Sequence, residues 1–233
     1  MSHNNWIFTK EEILNSPSIR DGIPENEEKE ALYNSCKFIQ ALCKELDIQP
    51  FVAVTASVYL RRFFMLQSLK VHDRDVIAQG CVLLASKVDE NVKPPGMLVV
   101  KAYKLLNPSE SSPNTYGPFY EIKKMNVLVA ERLILNTLSF DLVVDQPYQY
   151  ILEFKKSFQE ITDAIYQIND NVTQYAWIFA NELCLTNLCL LYNSRTLAAW
   201  CIYSALCTIG GVDDLDDIVF TYLHENKDDI LCI

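Results

Sequence analysis

The sequence predicts an all-α protein built from two consecutive helical bundles, with a short helix before them. Glycine is scarce, with 6 in 233 residues, and the 9 prolines lie at the boundaries of apolar stretches. Within those stretches apolar residues recur at spacings of three and four, the period of an amphipathic helix. A faint internal repeat, RDVIAQGCVLLASK from Arg74 and RTLAAWCIYSALCT from Arg195, indicates that one helical module occurs twice.

The N-terminal segment, residues 1–26, is predicted to contain the short helix. Thr9 is followed three residues later by Glu12. This is the spacing of a capping box, in which each side chain accepts a hydrogen bond from the other residue's backbone N–H. Ser16 and Pro17 are predicted to end the helix.

The first bundle is predicted at residues 27–142. Its first helix has apolar residues at alternating spacings of four and three, and its second, FVAVTASVYLRRFFML, is apolar on nearly all sides. The latter pattern is typical of a central helix that is surrounded by others. Five helices are expected, at about 27–47, 50–66, 73–89, 97–106 and 119–138.

The second bundle is predicted at residues 143–233. Pro147 stands where proline is favoured, in the first turn of a helix. In the second copy of the repeat, Thr208 takes the place of Lys87. A lysine in one copy alone implies one binding bundle and one supporting bundle. Carboxylates at 213–217 are predicted to open the last helix, because negative charge favours a helix N-terminus.

Two charged residues interrupt apolar helix faces in the first bundle. Lys87, in LLASKVDE, follows Leu83 and Leu84 at spacings of four and three, and Glu131, in VLVAERLILNTL, lies among aliphatic residues at the same spacings. An unpaired charge against an apolar core loses hydration that it cannot recover. We therefore expect the two charges to pair with each other or with a partner's backbone groups. A purely structural ion pair is the alternative.

The composition disfavours several classes of function. A net charge of -10 argues against direct binding of DNA or RNA, which requires clustered Lys and Arg. With 8 cysteines that form no CxxC pair and 3 histidines, no metal site is expected, and the cysteines are predicted to be small core residues. No apolar run is long enough to span a membrane, and no secretory pattern opens the chain, so an intracellular protein is expected.

Motifs of catalysis are also missing from the sequence. It contains no GxSxG elbow, no Walker GxxxxGK[ST] loop and no GxGxxG after a strand. HDRD at residues 72–75 lacks the HRDLxxxN order of a kinase catalytic loop and is better explained as a helix start. The sequence therefore predicts a protein without catalytic activity and without a cofactor.

Five segments, in order, resemble the transcription-type cyclins of the cyclin K and cyclin T subfamily. They are WIFTKEEILNSPSIRDGI, VYLRRFFMLQSL, LLASKVDE, AERLILNTLSFDLVVDQPYQYILEF and WIFANELCLTNLCLLY. The similarity covers most of the chain. The chain departs from the subfamily's usual His-Arg-Phe-Tyr and Val-Glu-Glu segments, where it has Arg61 and Asp89. These departures make the choice of partner harder to predict.

The resemblance implies two cyclin boxes, each of about five helices, and a non-catalytic role as the activating subunit of a cyclin-dependent kinase. The family's lysine and glutamate match Lys87 and Glu131 here, and in the family they hold the kinase backbone. Apolar contact with the kinase is implied for Leu84, Leu128 and Phe64. The implied complex phosphorylates the C-terminal repeats of RNA polymerase II in the nucleus and promotes transcription elongation.

Two other functions stay open at this stage. One is a cyclin-box adaptor of the general transcription factor IIB type, acting on DNA or as a scaffold, although the acidic net charge disfavours DNA contact. The other is a cyclin C- or cyclin L-type subunit with a different kinase. The helix ALYNSCKFIQALC lacks the MRAIL-like segment by which cell-cycle cyclins dock substrates, which disfavours that group.

Overall fold

The computed structural model is helical wherever it has regular structure, in agreement with the predicted all-α class. It describes residues 6–111, 114–115, 117–160 and 169–209, with the backbone alone for 158–160. Ten α-helices and no strand occur in these ranges. The described residues form two compact units, one of which is Phe8–Val144, while the other contains Trp6, Ile7 and residues 145–160 and 169–209.

Two short helices open the first unit. Helix α1 (Lys10–Ile13) has the predicted capping box: the Glu12 N–H donates to Thr9 Oγ1 at 3.1 Å, and the Thr9 N–H donates to Glu12 Oε2 at 2.7 Å. Ser16 then caps a second helix, α2 (Pro17–Arg20), which the sequence analysis missed. A Ser-Pro pair can begin a helix as well as end one, because proline is favoured in the first turn.

Five longer helices form the first bundle, as predicted. They are α3 (Glu25–Glu45), α4 (Pro50–Leu66), α5 (Arg74–Val88), α6 (Pro95–Leu106) and α7 (Pro118–Thr137). Helix α5 packs against each of the other four, and both α4 and α5 are buried on nearly all sides. The largest fully buried side chains include Tyr59, Phe63, Leu83 and Ile134. Helices α4 and α5 are therefore the centre of this core.

Gly80 allows α5 and α7 to approach closely. A Cβ atom at this position would lie 2.9 Å from Ile134 Cδ1, 3.0 Å from Ala130 Cβ and 3.1 Å from the Glu131 backbone nitrogen. Contacts this short would force the helices apart. The crossing at Gly80 thus brings the following two turns of α5, which end at Lys87, beside the middle of α7.

The second unit contains three described helices, α8 (Pro147–Glu160), α9 (Asp170–Leu183) and α10 (Ser194–Ile209), and a 3-10 turn at Leu188–Leu190. Helix α10 packs against α8, α9 and the 3-10 turn. Its buried side chains form the core of the unit together with side chains from α8 and α9. The acidic helix start predicted at 213–217 and Cys232 lie outside the described residues. The predicted boundaries of this bundle, 143–233, stay a prediction for the same reason.

Most of the described cysteines are buried. Of the described cysteines, Cys36, Cys43, Cys81, Cys184 and Cys201 are buried as expected, whereas Cys207 is exposed. No helix among the described ranges combines the length and apolar character needed to cross a membrane. In the same ranges, no group of three or more His, Cys, Asp or Glu side chains is placed to hold a metal ion.

Candidate functional site

Lys87 and Glu131 form an ion pair between α5 and α7. Lys87 Nζ donates to both carboxylate oxygens of Glu131, at 2.6 and 2.9 Å. The Glu131 side chain is only 10% exposed, but the Lys87 side chain is 43% exposed. The lysine therefore faces solvent, while the glutamate is held at the edge of the core. Because an ammonium group has three donors, one remains for another acceptor.

The three apolar residues implied for partner contact do not share one environment. Phe64 is 1% exposed and Leu84 is 3% exposed, so both lie inside the bundle and offer no surface in this conformation. Leu128 is half-buried, one turn before Glu131 on α7. Leu84 lies on the same stripe of α5 as Lys87. Because the neighbouring helices cover α5 on nearly all sides, Leu84 is buried although Lys87 is exposed.

Exposed apolar residues near the ends of α5 and α7 were missed by the sequence analysis. Val88 directly follows Lys87 at the end of α5 and is exposed. After α7, Phe140 is 65% exposed and Val143 is also exposed. A solvent-exposed phenylalanine often marks a binding site when other apolar side chains lie nearby. These residues supply the apolar surface that Leu84 and Phe64 do not.

The turn after α7 has an unusual backbone. Ser139 and Phe140 are consecutive residues with left-handed φ angles of 51° and 59°. Non-glycine residues seldom adopt this conformation, and for a bulky residue it costs on the order of 1–3 kcal/mol. No residue of the segment signals this turn in advance. No glycine follows the helix in LNTLSFDLVVDQP, although glycine is the common residue where a helix ends in this conformation.

Buried polar groups lie between the end of α5 and this turn. Burial raises the pKa of the Tyr59 phenol above its usual range, the charges of Asp89 and Asp141 add to the increase, and Arg62 opposes it. Burial also raises the pKa of the Asp89 carboxyl, against a hydrogen bond from Thr55. The phenol is therefore a neutral donor at physiological pH. The same cluster links α4, the last turn of α5 and the segment after α7.

Sequence comparison with known proteins identifies a family. The model of the cyclin N-terminal domain matches residues 5–143. The chain is 35% identical to Cyclin-T1-2 of Arabidopsis thaliana over 201 residues, which are 86% of this chain and 43% of that protein. It is 30% identical to Cyclin pch1 of Schizosaccharomyces pombe over 208 residues, covering 87% and 58% of the two chains. The chain thus spans about half the length of these relatives.

Solved structures share the fold at lower identity. A chain of the yeast RNA Pol II CTD kinase CTDK-1 complex superposes with a TM-score of 0.78 at 15% identity, covering 97% of this chain and 69% of that one. A chain of the yeast TFIIK (Kin28/Ccl1/Tfb3) complex gives a TM-score of 0.69 at 19% identity, covering 98% and 97%. The structures share the fold alone, and the sequence matches place the chain in the cyclin family, among the transcription-type cyclins.

Proposed function

We propose that this chain is the activating regulatory subunit of a cyclin-dependent kinase and that its first bundle binds the kinase. The complex phosphorylates the C-terminal repeats of RNA polymerase II in the nucleus and so promotes transcription elongation. The chain itself performs no chemistry. The observation that carries the proposal is the ion pair of Lys87 and Glu131, in which the lysine is exposed and exposed apolar residues follow near the ends of the same two helices.

The exposure of this pair favours a binding role over a purely structural one. A structural pair would have both groups buried, with no exposed apolar patch around them. Here the lysine side chain is 43% exposed, and Val88, Phe140 and Val143 are exposed near the ends of the same two helices. A charge that is fixed in place by a buried counter-charge can bind a partner's backbone carbonyl at little entropic cost.

Activation is a shift between two kinase conformations. In an active kinase, the glutamate of one helix pairs with the ATP-binding lysine. A cyclin that contacts this helix better in its inward position favours the active conformation by the difference between the two binding free energies. A difference of about 5.5 kcal/mol would change a 1:99 mixture into a 99:1 mixture. Lys87, Glu131 and Leu128 would supply such contacts.

The family supports the choice of partner and substrate. Cyclin-T proteins of plants and mammals align with 86% to 88% of this chain. The CTDK-1 complex, which has a chain of the same fold, is a kinase of the RNA Pol II CTD. A kinase directed at the polymerase tail is therefore the first partner to test, and its substrate lies in the nucleus.

The test compares two pairs of alanine substitutions. Lys87→Ala with Glu131→Ala removes the proposed contact. Lys101→Ala with Glu45→Ala removes another ion pair of the same bundle, which joins α6 to α3 at 3.1 Å, and serves as the matched control. Each protein is titrated against purified cyclin-dependent kinase catalytic subunits. Phosphorylation of a polymerase-tail repeat peptide and the free energy of unfolding are measured alongside.

We expect wild type and the control to bind and activate a tail-directed kinase, and the Lys87/Glu131 variant to bind about 100-fold more weakly while remaining folded. Loss of stability without a change in affinity would reduce the pair to a structural role. Activation of a kinase that ignores the tail peptide would indicate a cyclin C- or cyclin L-type subunit. Salt-dependent binding to DNA without any kinase binding would indicate the transcription factor IIB type of adaptor.

A further inference from the structure

Two buried side chains of α4 hold the segment that follows the left-handed turn. The Tyr59 phenol donates a hydrogen bond to the Leu142 carbonyl at 2.7 Å, and Arg62 Nη1 donates to the Val143 carbonyl at 3.1 Å. Both donors lie within the core. They span more than 80 positions of the sequence to fix two consecutive backbone carbonyls. We call Tyr59 and Arg62 the α4 clamp.

The clamped segment also holds Phe140 through its own backbone. The Phe140 N–H donates to the Leu135 carbonyl at 3.0 Å, and the Leu142 N–H donates to the Phe140 carbonyl at 3.1 Å. The turn is thus closed on both sides of its strained residue. Backbone strain persists only where the surrounding structure holds it. In this turn, the α4 clamp is part of what holds it.

The direction of the Phe140 side chain argues against a purely structural turn. A turn that served the core would be expected to bury its aromatic residue, because burying a phenylalanine is worth roughly 1.5–3 kcal/mol. Here the strained residue is the exposed one. The turn thus loses free energy twice, through the strained backbone of Phe140 and through the exposure of its ring. A partner that binds the ring would explain both losses.

We infer that Tyr59 and Arg62 are positioning residues, which preorganise Phe140 as an aromatic anchor for the protein bound at the first bundle. The inference rests on the proposed function, in which that protein is the kinase. A loop that is already ordered before binding avoids the entropy cost of ordering it in the complex. The clamp residues themselves do not touch the partner and act through Phe140.

The experiment uses Tyr59→Phe, which removes one hydroxyl and leaves the packing of the ring intact. Tyr148→Phe is the matched control, because that phenol donates to Asn181 Oδ1 at 2.6 Å in the second unit. The first measurement is amide hydrogen exchange in the free protein over residues 139–143. The second is kinase affinity, in a cycle with Phe140→Ala and the double variant Tyr59→Phe/Phe140→Ala.

We expect Tyr59→Phe to speed exchange over residues 139–143 about 10-fold and to weaken kinase binding about 10-fold. Tyr148→Phe should change neither. In the Phe140→Ala background, Tyr59→Phe should have no further effect on affinity, because the residue it positions is gone. A clamp that acted on stability alone would not show this dependence.

Two results would overturn the inference. One is unchanged exchange over residues 139–143 in Tyr59→Phe, and the other is an equal loss of affinity with and without Phe140. Arg62→Lys provides a second variant, which should keep more of the affinity than Arg62→Met because it retains a donor near the Val143 carbonyl. If wild type bound no kinase, the proposed function would fail, and faster exchange in Tyr59→Phe would still establish the clamp without its partner.

Discussion

Helices α5 and α10, the two copies of the repeat, begin alike and end differently. In α5, Arg74 Nη1 donates to the Ala31 carbonyl of α3 at 3.2 Å. In α10, Arg195 lies 4.9 Å from the ring centre of Phe154 on α8. Each arginine ties the start of the central helix to the first long helix of its own unit. The matching starts therefore have a structural role, which a repeated module needs in both copies.

The ends of the two helices have different surroundings. At the end of α5, Ser86 is fully buried, and Lys87 reaches across to Glu131 on α7. At the matching positions of α10, Cys207 is exposed, and the Thr208 hydroxyl donates to the Ser204 carbonyl of its own helix at 2.7 Å. The α10 end satisfies its polar group locally. The repeated helix therefore folds in the second unit without such an ion pair. This supports a role beyond folding for the pair of Lys87 and Glu131.

The largest expected effect concerns thiol reactivity on the two helices. Burial raises the pKa of the Cys81 thiol on α5 and of the Cys201 thiol on α10 above the usual range. Only the thiolate reacts quickly with iodoacetamide, so both should react slowly at pH 8 and faster as the pH rises. Cys207 is exposed at the α10 end. We expect it to be alkylated roughly 1000-fold faster than Cys81 in the native protein, by peptide mass spectrometry.

Equal alkylation rates for Cys207 and Cys81 would contradict the difference between the exposed end of α10 and the buried middle of α5. Denatured protein is the control, because there the three thiols should react at similar rates. If Cys201 reacted nearly as fast as Cys207, the exposed part of α10 would extend from its end to the position of Cys201, which the structure buries.

The next effect comes from exchanging the two residues at the helix ends. Lys87→Thr gives α5 the residue of α10, and it leaves the Glu131 carboxylate, 10% exposed, without its cation. We expect kinase affinity to fall about 100-fold and the free energy of unfolding to fall by about 1–3 kcal/mol. Isothermal titration calorimetry and urea denaturation measure the two quantities.

The reverse exchange, Thr208→Lys, is the control for that comparison. It should change kinase affinity less than about 2-fold, since the α10 end has no proposed partner. An increase in affinity of 10-fold or more would contradict the assignment of binding to the first bundle alone.

A smaller effect is expected at the close contact of α5 with α7, compared with the matching position of α10. Gly80 on α5 matches Cys201 on α10, so only α5 needs a residue without a Cβ atom. Gly80→Ala should lower the free energy of unfolding by about 1–3 kcal/mol, because Ala130, Ile134 and the Glu131 backbone would have to move. Cys201→Ala removes one sulfur from a filled core and should cost about 1 kcal/mol. Urea denaturation of both variants checks the order, which the opposite ranking would refute.

Sequence reasoning could predict the helices and the ion pair because both follow from periodicity. A stripe that carries Lys87 in one helix and Glu131 in another indicates two charges that need partners. Periodicity shows which residues share a helix face, but it does not show which faces the neighbouring helices cover. The cyclin resemblance implied partner contact for Leu84 and Phe64, and neither the resemblance nor periodicity shows that the bundle buries both side chains. Phe140 was missed for the converse reason, since the segment after it is held by hydrogen bonds from α4, which lies more than 80 positions earlier in the sequence.

The smallest expected effect is a pH dependence at the end of α5. Burial raises the pKa of Asp89 from its usual 3.8, and its Oδ2 atom is buried without a hydrogen bond. The folded state thus favours the neutral acid, so this stabilisation is complete below the unfolded pKa and is lost as the pH rises through the higher folded pKa.

Asp89→Asn is neutral at every pH and should be more stable than wild type at pH 7, by a few tenths of a kcal/mol after solvent screening. The advantage should vanish near pH 3, because wild type is then protonated too. Urea denaturation at both pH values measures it, and an advantage that grew on acidification would mean that the ionised carboxylate stabilises the end of α5. Such a result would mean that the end of α5 is stabilised by the charge of Asp89 as well as by that of Lys87. At the end of α10, the matching polar group of Thr208 bonds to its own helix instead.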